Sequence, residues 1–152
     1  MRAKWKDTVF SVFGLLVIVI LSINCNIADF WNGANGTINP ITLAVTAVYI
    51  CYCSAFALFA HKKISLIAMV VWAAMTLVFA MYIVLRTAFV PPKVPGPVFT
   101  VPGLILFLSP FQGMTAILSN NRLVIYSIIS MICVLWIAVS VFRLGRCCKR
   151  RK

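Results

Sequence analysis

The chain has no glutamate and only two aspartates, Asp7 and Asp29, set against fourteen lysines and arginines. None of these charges falls deep inside its long apolar stretches. An ionisable side chain at the centre of a bilayer costs about 2.5–3.5 kcal/mol and is kept there for ion or proton coupling. A coupled exporter built on an embedded carboxylate is therefore excluded. The single histidine, His61, stands beside Lys62 and Lys63, which reads as a membrane-edge residue rather than a metal ligand. With His61 and Asp29 expected on opposite sides of a membrane, no Ser/His/Asp set can form. The six cysteines contain no CxxC pair, and Cys51 and Cys53 would point about 200° apart around a helix. Thiol redox chemistry thus lacks its paired outer cysteines. Cys133 is expected in mid-span, where a cysteine packs as a small apolar residue. Glycine-rich phosphate loops are missing as well. No catalytic residue, metal or cofactor is indicated.

What the chain has in abundance is hydrocarbon. Hydrophobic residues make up 63% of it and charged residues 11%, whereas a soluble domain carries roughly 25% charged residues. Four apolar stretches of about 20 residues, rising ~1.5 Å per residue, each match a hydrocarbon core of ~30 Å. The expected architecture is an all-α, four-helix, polytopic membrane protein forming a single membrane domain, with spans at residues 8–27, 41–60, 64–86 and 123–142. Trp5 and Trp31 flank the first span, where indoles favour the headgroup level. Pro40 precedes the second, since the start of a helix needs no N–H. Pro91 and Pro92 close the third, and Asn120 or Asn121 caps the start of the fourth.

A net charge of +12 would point a soluble protein toward nucleic acid. Here the bases sit between the spans, so no nucleic acid partner is expected. Eleven bases, Arg2, Lys4, Lys6, Lys62, Lys63, Arg143, Arg146, Lys149, Arg150, Arg151 and Lys152, fall on one side of a four-span chain, and Arg86, Lys93 and Arg122 on the other. Cytoplasmic loops retain Lys and Arg, which orients both termini to the cytoplasm. The expected location is the plasma (inner) membrane of a bacterium, or the plasma membrane or an endomembrane of a eukaryote. Arg146, Lys149, Arg150, Arg151 and Lys152 form a basic tail over 143–152 that contacts anionic lipid headgroups. Cys147 and Cys148 beside them are acylation candidates in a eukaryote. The basic start and Ala28 have the outline of a signal peptide, but Asn26 misfits its cleavage site, so the first span is expected to stay. An Asn35-Gly36-Thr37 sequon lies on the outer side, too close to the second span to favour modification.

The stretch 103–118, GLILFLSPFQGMTAIL, is apolar but too short to span and is interrupted by Pro110 and Gly113. A fifth crossing would move the basic tail outside, so a proline-broken re-entrant hairpin or an interfacial segment between the third and fourth spans is expected. Irregular backbone at membrane depth survives only inside protein or beside a water-filled cavity. The prolines upstream, through Gly103, predict an extended strap.

The spans themselves carry a packing pattern. Ala44, Ala47, Cys51, Ser54 and Ala55 in the second, and Ala73, Thr76 and Ala80 in the third, recur at helical spacing and form small-residue seams that let backbones approach. Ser127 and Ser130 near Cys133 do the same in the fourth. Bundling within the chain satisfies these seams first, with self-association or another membrane protein as the alternative. Tyr49, Tyr52, Trp72 and Trp136 need hydrogen-bond partners inside such a bundle. The expected function is non-catalytic, through helix–helix contacts with other membrane proteins, of accessory, immunity or assembly type. The alternative is a small transporter or channel subunit in which Pro110, Gln112, Gly113 and Thr115 form a constriction below an electropositive mouth of Arg86, Lys93 and Arg122. A lipid-active enzyme using Asp29 and Gln112 is a third class.

Overall fold

The structure, a computed structural model, describes residues 10–32, 40–89, 100–118 and 121–149. Among these residues every regular element is helical: α1 (Val12–Asn32), α2 (Pro40–Phe59), α3 (Lys63–Phe89), α4 (Thr100–Leu108), a 3-10 turn (Ser109–Phe111), α5 (Gly113–Ile117) and α6 (Arg122–Lys149). The helices α1, α2, α3 and α6 are long and apolar enough to cross a membrane, and the piece from Thr100 to Phe111 is not. Four helices of that length and composition suit an integral membrane protein. Trp5, Asp7, the Asn35-Gly36-Thr37 sequon, Pro91, Pro92 and Lys93 lie outside the described residues.

The inward faces follow a 3,4 spacing. On α1 the buried residues are Leu15, Val19, Ser22 and Asn26; on α2 they are Thr42, Thr46, Tyr49, Cys53 and Phe56, continued by Ala60 just past the helix. Met69, Ala73, Thr76 and Ala80 line α3, and Ile129, Cys133, Trp136 and Ser140 line α6. Such a repeat keeps one stripe in register along a neighbour, the geometry of left-handed antiparallel bundles. The outer faces are hydrocarbon: Phe13, Ile64, Val78, Met131 and Phe142 are all more than 60% exposed. Patches of that kind on a soluble protein would drive association; against lipid tails they are at home.

Directions follow from side-chain contacts. Asn26 meets Thr46, and Phe10 packs on Tyr52, Phe56 and Phe59, so α1 and α2 are antiparallel. Trp136 donates to Ser54 Oγ at 3.0 Å and Arg143 to the Ala57 carbonyl at 2.9 Å, so α2 and α6 run in the same direction. The short 60–62 joint turns α3 back against both. Phe10, the 60–62 joint and Arg143 therefore share one end of the bundle, and Asp29, Thr42 and Arg122 share the other. At the first end Arg143 caps a carbonyl in the last turn of α2, where a cation also meets the negative pole of the helix.

The most extensive interhelical contact is between α3 and α6, followed by α1 with α2. Ala73, Thr76 and Ala80 are fully buried on α3, as a close-approach seam requires. The aromatic polar atoms are paired as expected: Trp72 Nε1 donates to Tyr49 Oη at 2.8 Å, and Trp136 to Ser54. Asn121 caps α6, its side chain accepting from Val124 N at 3.4 Å.

Three features of the structure add to or differ from the reading of the sequence. Of the α2 seam, Ala44, Ala47 and Cys51 are exposed, and Ser54 and Ala55 are half-buried, Ser54 facing Trp136 of α6. The hydroxyls of Thr42 and Thr46 and the phenol of Tyr49 take the inner face instead, because an unpaired polar group in hydrocarbon costs several kcal/mol while an alanine methyl loses nothing there. Helix also continues past the apolar runs, to Asn32 in α1 and through the first part of the basic tail to Lys149 in α6; backbone hydrogen bonding carries on into the polar zone where no proline or capping glycine stops it. Finally, Thr100–Gly103 is helical, not extended. Pro102 falls in the first turn, whose N–H groups have no intrahelical acceptor to lose.

Leucine at Ala73 or Ala80 is expected to overfill the α3–α6 contact and lower stability by about 1–3 kcal/mol, whereas Val78→Leu on the outer face stays within about 0.5 kcal/mol. Equal unfolding midpoints for all three variants in detergent would contradict this packing.

Candidate functional site

The chain between α3 and α6 cannot run as one helix, because Pro110 has no N–H and its ring collides with the preceding turn. It folds as α4, a 3-10 turn and α5, with Phe107, Leu108, Ser109, Pro110, Phe111, Gln112 and Met114 buried. Part of the turn closes on itself, Gln112 N donating to the Ser109 carbonyl at 3.0 Å and Thr115 N to the Gln112 carbonyl at 3.1 Å. The carbonyl of Pro110, which such a break leaves open, needs a donor from elsewhere.

Two other helices supply it. Asn26 of α1, fully buried, brings its Nδ2 to 3.3 Å from the Pro110 carbonyl and 3.2 Å from both the Ser109 carbonyl and Thr46 Oγ1. Thr46 of α2 donates to the same Pro110 carbonyl at 3.0 Å and accepts from Gly113 N at 2.9 Å. One hydroxyl thus closes the open end on both sides, serving the last carbonyl of the break and the first N–H of α5. The approach is possible only at glycine. A Cβ on residue 113 would lie 2.7 Å from the Thr42 carbonyl and from Thr46 Oγ1, and 2.8 Å from Leu43 Cα.

Toward the Asp29 end the network continues. Thr42 Oγ1 donates to the Asp29 carboxylate, Gln112 Nε2 to the Asp29 carbonyl at 3.4 Å, and Thr115 Oγ1 to the Gln112 carbonyl at 2.6 Å. Beneath it lies an aromatic floor. Tyr49 meets Phe111 edge-on with centroids 5.2 Å apart, Phe111 leans on Trp136 at 6.2 Å, and Phe107 sits against Trp72 and Phe79 at 4.7 and 5.3 Å. Asn26 Oδ1 and Ser109 Oγ are buried without a hydrogen-bond partner.

The residues expected at a constriction are thus brought together: Pro110, Gln112, Gly113 and Thr115 form one junction. Gln112 is 8% exposed there and tied to α1. Arg86 donates to Tyr82 Oη on its own helix at 3.1 Å, and Arg122 is exposed at the start of α6. Of the basic tail, Arg146 lies over the Phe142 ring at 4.4 Å; α6 ends at Lys149, and Arg150, Arg151 and Lys152 lie outside the described residues. Among the described residues no three His, Cys, Asp or Glu side chains gather as metal ligands. The residues missed by sequence reasoning are Asn26, Thr42 and Thr46. Their signal was present as polar side chains at 3,4 spacing within apolar runs.

Alanine at Gly113 must push the α2 backbone away, and a loss of about 1–3 kcal/mol is expected. Alanine at Gly145, whose Cβ would meet nothing within 4 Å, gains up to about 1 kcal/mol from helix propensity. Opposite signs in thermal unfolding check the junction; stabilisation by both would contradict it.

Comparison of the chain with protein-family models, with curated proteins and with solved structures finds no match, and the reading of function rests on this geometry.

Proposed function

We propose that the chain is a non-catalytic integral membrane protein that acts by docking its α2 helix against a helix of another membrane protein, in an accessory, protective or assembly role. The observation carrying this reading is the outward seam. Ala44, Ala47 and Cys51 share one exposed face of α2, at the spacing that lets two backbones come close. In a bilayer such helices associate through van der Waals packing, because lipid tails are as apolar as leucine. A seam left uncovered among the described residues is therefore available for that packing.

The junction supports the same reading. As a re-entrant wedge it would hold α1 and α2 at a fixed distance and present the seam on a rigid element. The burial of Gln112 and its tie to Asp29 favour a wedge over an open route for ions. In the membrane, the end bearing His61, Lys62, Lys63, Arg143 and Arg146 faces the cytoplasm by the excess of bases there.

The test is quantitative co-purification from native membranes after lysine-independent crosslinking through Cys51, the seam's own thiol. Ala47→Leu is expected to abolish the Cys51 adduct while leaving the unfolding midpoint of the isolated chain unchanged, since the residue touches no inner face. Ile20→Leu, on the exposed face of α1, should retain the adduct. Equal adduct yields from wild type and Ala47→Leu would refute docking through this face.

A further inference from the structure

Between α2 and α6, toward the end that carries the 60–62 joint, the surface is indented by an apolar groove of about 230 Å³, lined among others by Ile50, Ala57, Leu58, Ile132, Leu135 and Val139. Its floor is the Trp136 indole, whose N–H is already satisfied by Ser54 at 3.0 Å. A cavity with no unpaired polar group is a poor place for water. It is also small. A helix measures about 10–12 Å across, too wide to sink into that volume, whereas one hydrocarbon chain has the girth to enter it. From Ile132 to Val139 the groove runs for about 10 Å at ~1.5 Å per residue.

The same stripe of α6 changes character one turn beyond Val139. Ile132, Trp136 and Val139 are followed at 3,4 spacing by Arg143 and Arg146. Arg143 is held at the groove's rim, because one of its Nη atoms is anchored 2.9 Å from the carbonyl of Ala57, itself a lining residue. A guanidinium has five N–H donors in a rigid fork that fits phosphate oxygens, and among the described residues the rest of this fork has no hydrogen-bond acceptor. Arg146 follows within a turn, stacked on Phe142 and exposed. Asp29, the one carboxylate among the described residues, is at the opposite end of the bundle, so among the described residues no carboxylate at this rim would receive the ammonium of a zwitterionic headgroup.

We propose that this groove and its two arginines form a specific binding site for an anionic phospholipid, with one acyl chain along Trp136 and the phosphate on Arg143 and Arg146. The groove adjoins the face of α2 that bears Ala44, Ala47 and Cys51, further along the helix toward the 60–62 joint, and the inference does not rest on the docking reading. It differs from general attraction of anionic lipid to the basic end in needing the groove as well as the charge.

Trp136 at the floor provides the readout. The full chain is reconstituted in phosphatidylcholine vesicles containing a small fraction of phospholipid brominated on its acyl chains, either phosphatidylglycerol or phosphatidylcholine, and tryptophan quenching is titrated. Brominated phosphatidylglycerol is expected to quench at a mole fraction at least about fivefold lower than brominated phosphatidylcholine. Each arginine near an anionic surface contributes on that scale, so Arg146→Gln should lower the selectivity about fivefold, and Arg143→Lys, which keeps the charge but not the fork, should lower it to a smaller extent. Trp136→Phe should remove the selective component. Val139→Phe, which fills the groove without touching a charge, should abolish it too. Equal quenching by the two lipids in the wild-type chain would overturn the proposal. So would selectivity undiminished in Val139→Phe or Trp136→Phe with helicity intact by circular dichroism, since the lipid would then be held by surface charge alone.

Discussion

The irregular turn at Ser109–Phe111 leaves the Pro110 carbonyl without a helical N–H, since Gly113 N turns to Thr46 instead, and this fold is arranged around answering that carbonyl. The answer comes from two side chains on different helices, the Asn26 amide and the Thr46 hydroxyl, both on the Pro110 carbonyl. Because an unsatisfied group in hydrocarbon costs several kcal/mol, the three elements must come to one place for the break to exist at all. Gly113 lets the α5 backbone reach α2 closely enough for Thr46 to take its N–H as well. The positions of α1, α2 and the broken segment are thus coupled through a handful of atoms. The long α3–α6 pair is held differently, by shape along a seam of small residues.

The same constraint decides what faces outward. Polar groups at 3,4 spacing claim the interior of each span: Ser22 and Asn26 on α1, Thr42, Thr46 and Tyr49 on α2, Thr76 on α3, and Ser140 on α6. On α3 the small residues share that stripe and are buried with it. On α2 they lie on another face and are left against lipid or a partner. A surface that brings backbones close is thereby exported to the outside of the bundle. The reading of function as docking grows from that displacement, and so does the groove between α2 and α6, where the indole of Trp136 is paired with Ser54 and the outer lining is left thinly filled.

Much of the architecture was legible in the residues. Four spans follow from length and hydropathy, the start of α2 at Pro40 from the tolerance of proline at a first turn, and the cap at Asn121 from its amide side chain before an apolar run. The pairing of Trp72 and Trp136 with partners inside the bundle follows from the cost of burying an indole N–H. The inward face of α2 was not legible from small-residue spacing alone, since close approach gains less than burying an unpaired hydroxyl loses. At the junction, Pro110, Gln112, Gly113 and Thr115 were singled out from the sequence, as a constriction, because they sit together on one short segment. Asn26, Thr42 and Thr46 were not, because their meeting is set by how three separate helices pack, which no local pattern records. The helical Pro102 eluded expectation because several prolines upstream weighed toward extended chain, although a first turn accepts one freely.

The account turns on Asn26 and Thr46 acting together on one carbonyl, and a double-mutant cycle on the reconstituted chain measures that directly. Asn26→Leu, Thr46→Val and the double variant are compared by unfolding free energy in bicelles, with helicity confirming that each is folded. Hydrogen bonds between membrane helices couple by about 0.6 kcal/mol on average and up to about 1.7, and a shared acceptor in a dry site belongs in the upper half of that range. The expected result is non-additivity of about 1 kcal/mol, the double variant losing more than the sum of the two single losses, since either donor alone still answers the Pro110 carbonyl and only the double variant orphans it. Additivity within about 0.3 kcal/mol would mean that the two side chains do not share the Pro110 carbonyl and would contradict the junction as the element that sets the fold.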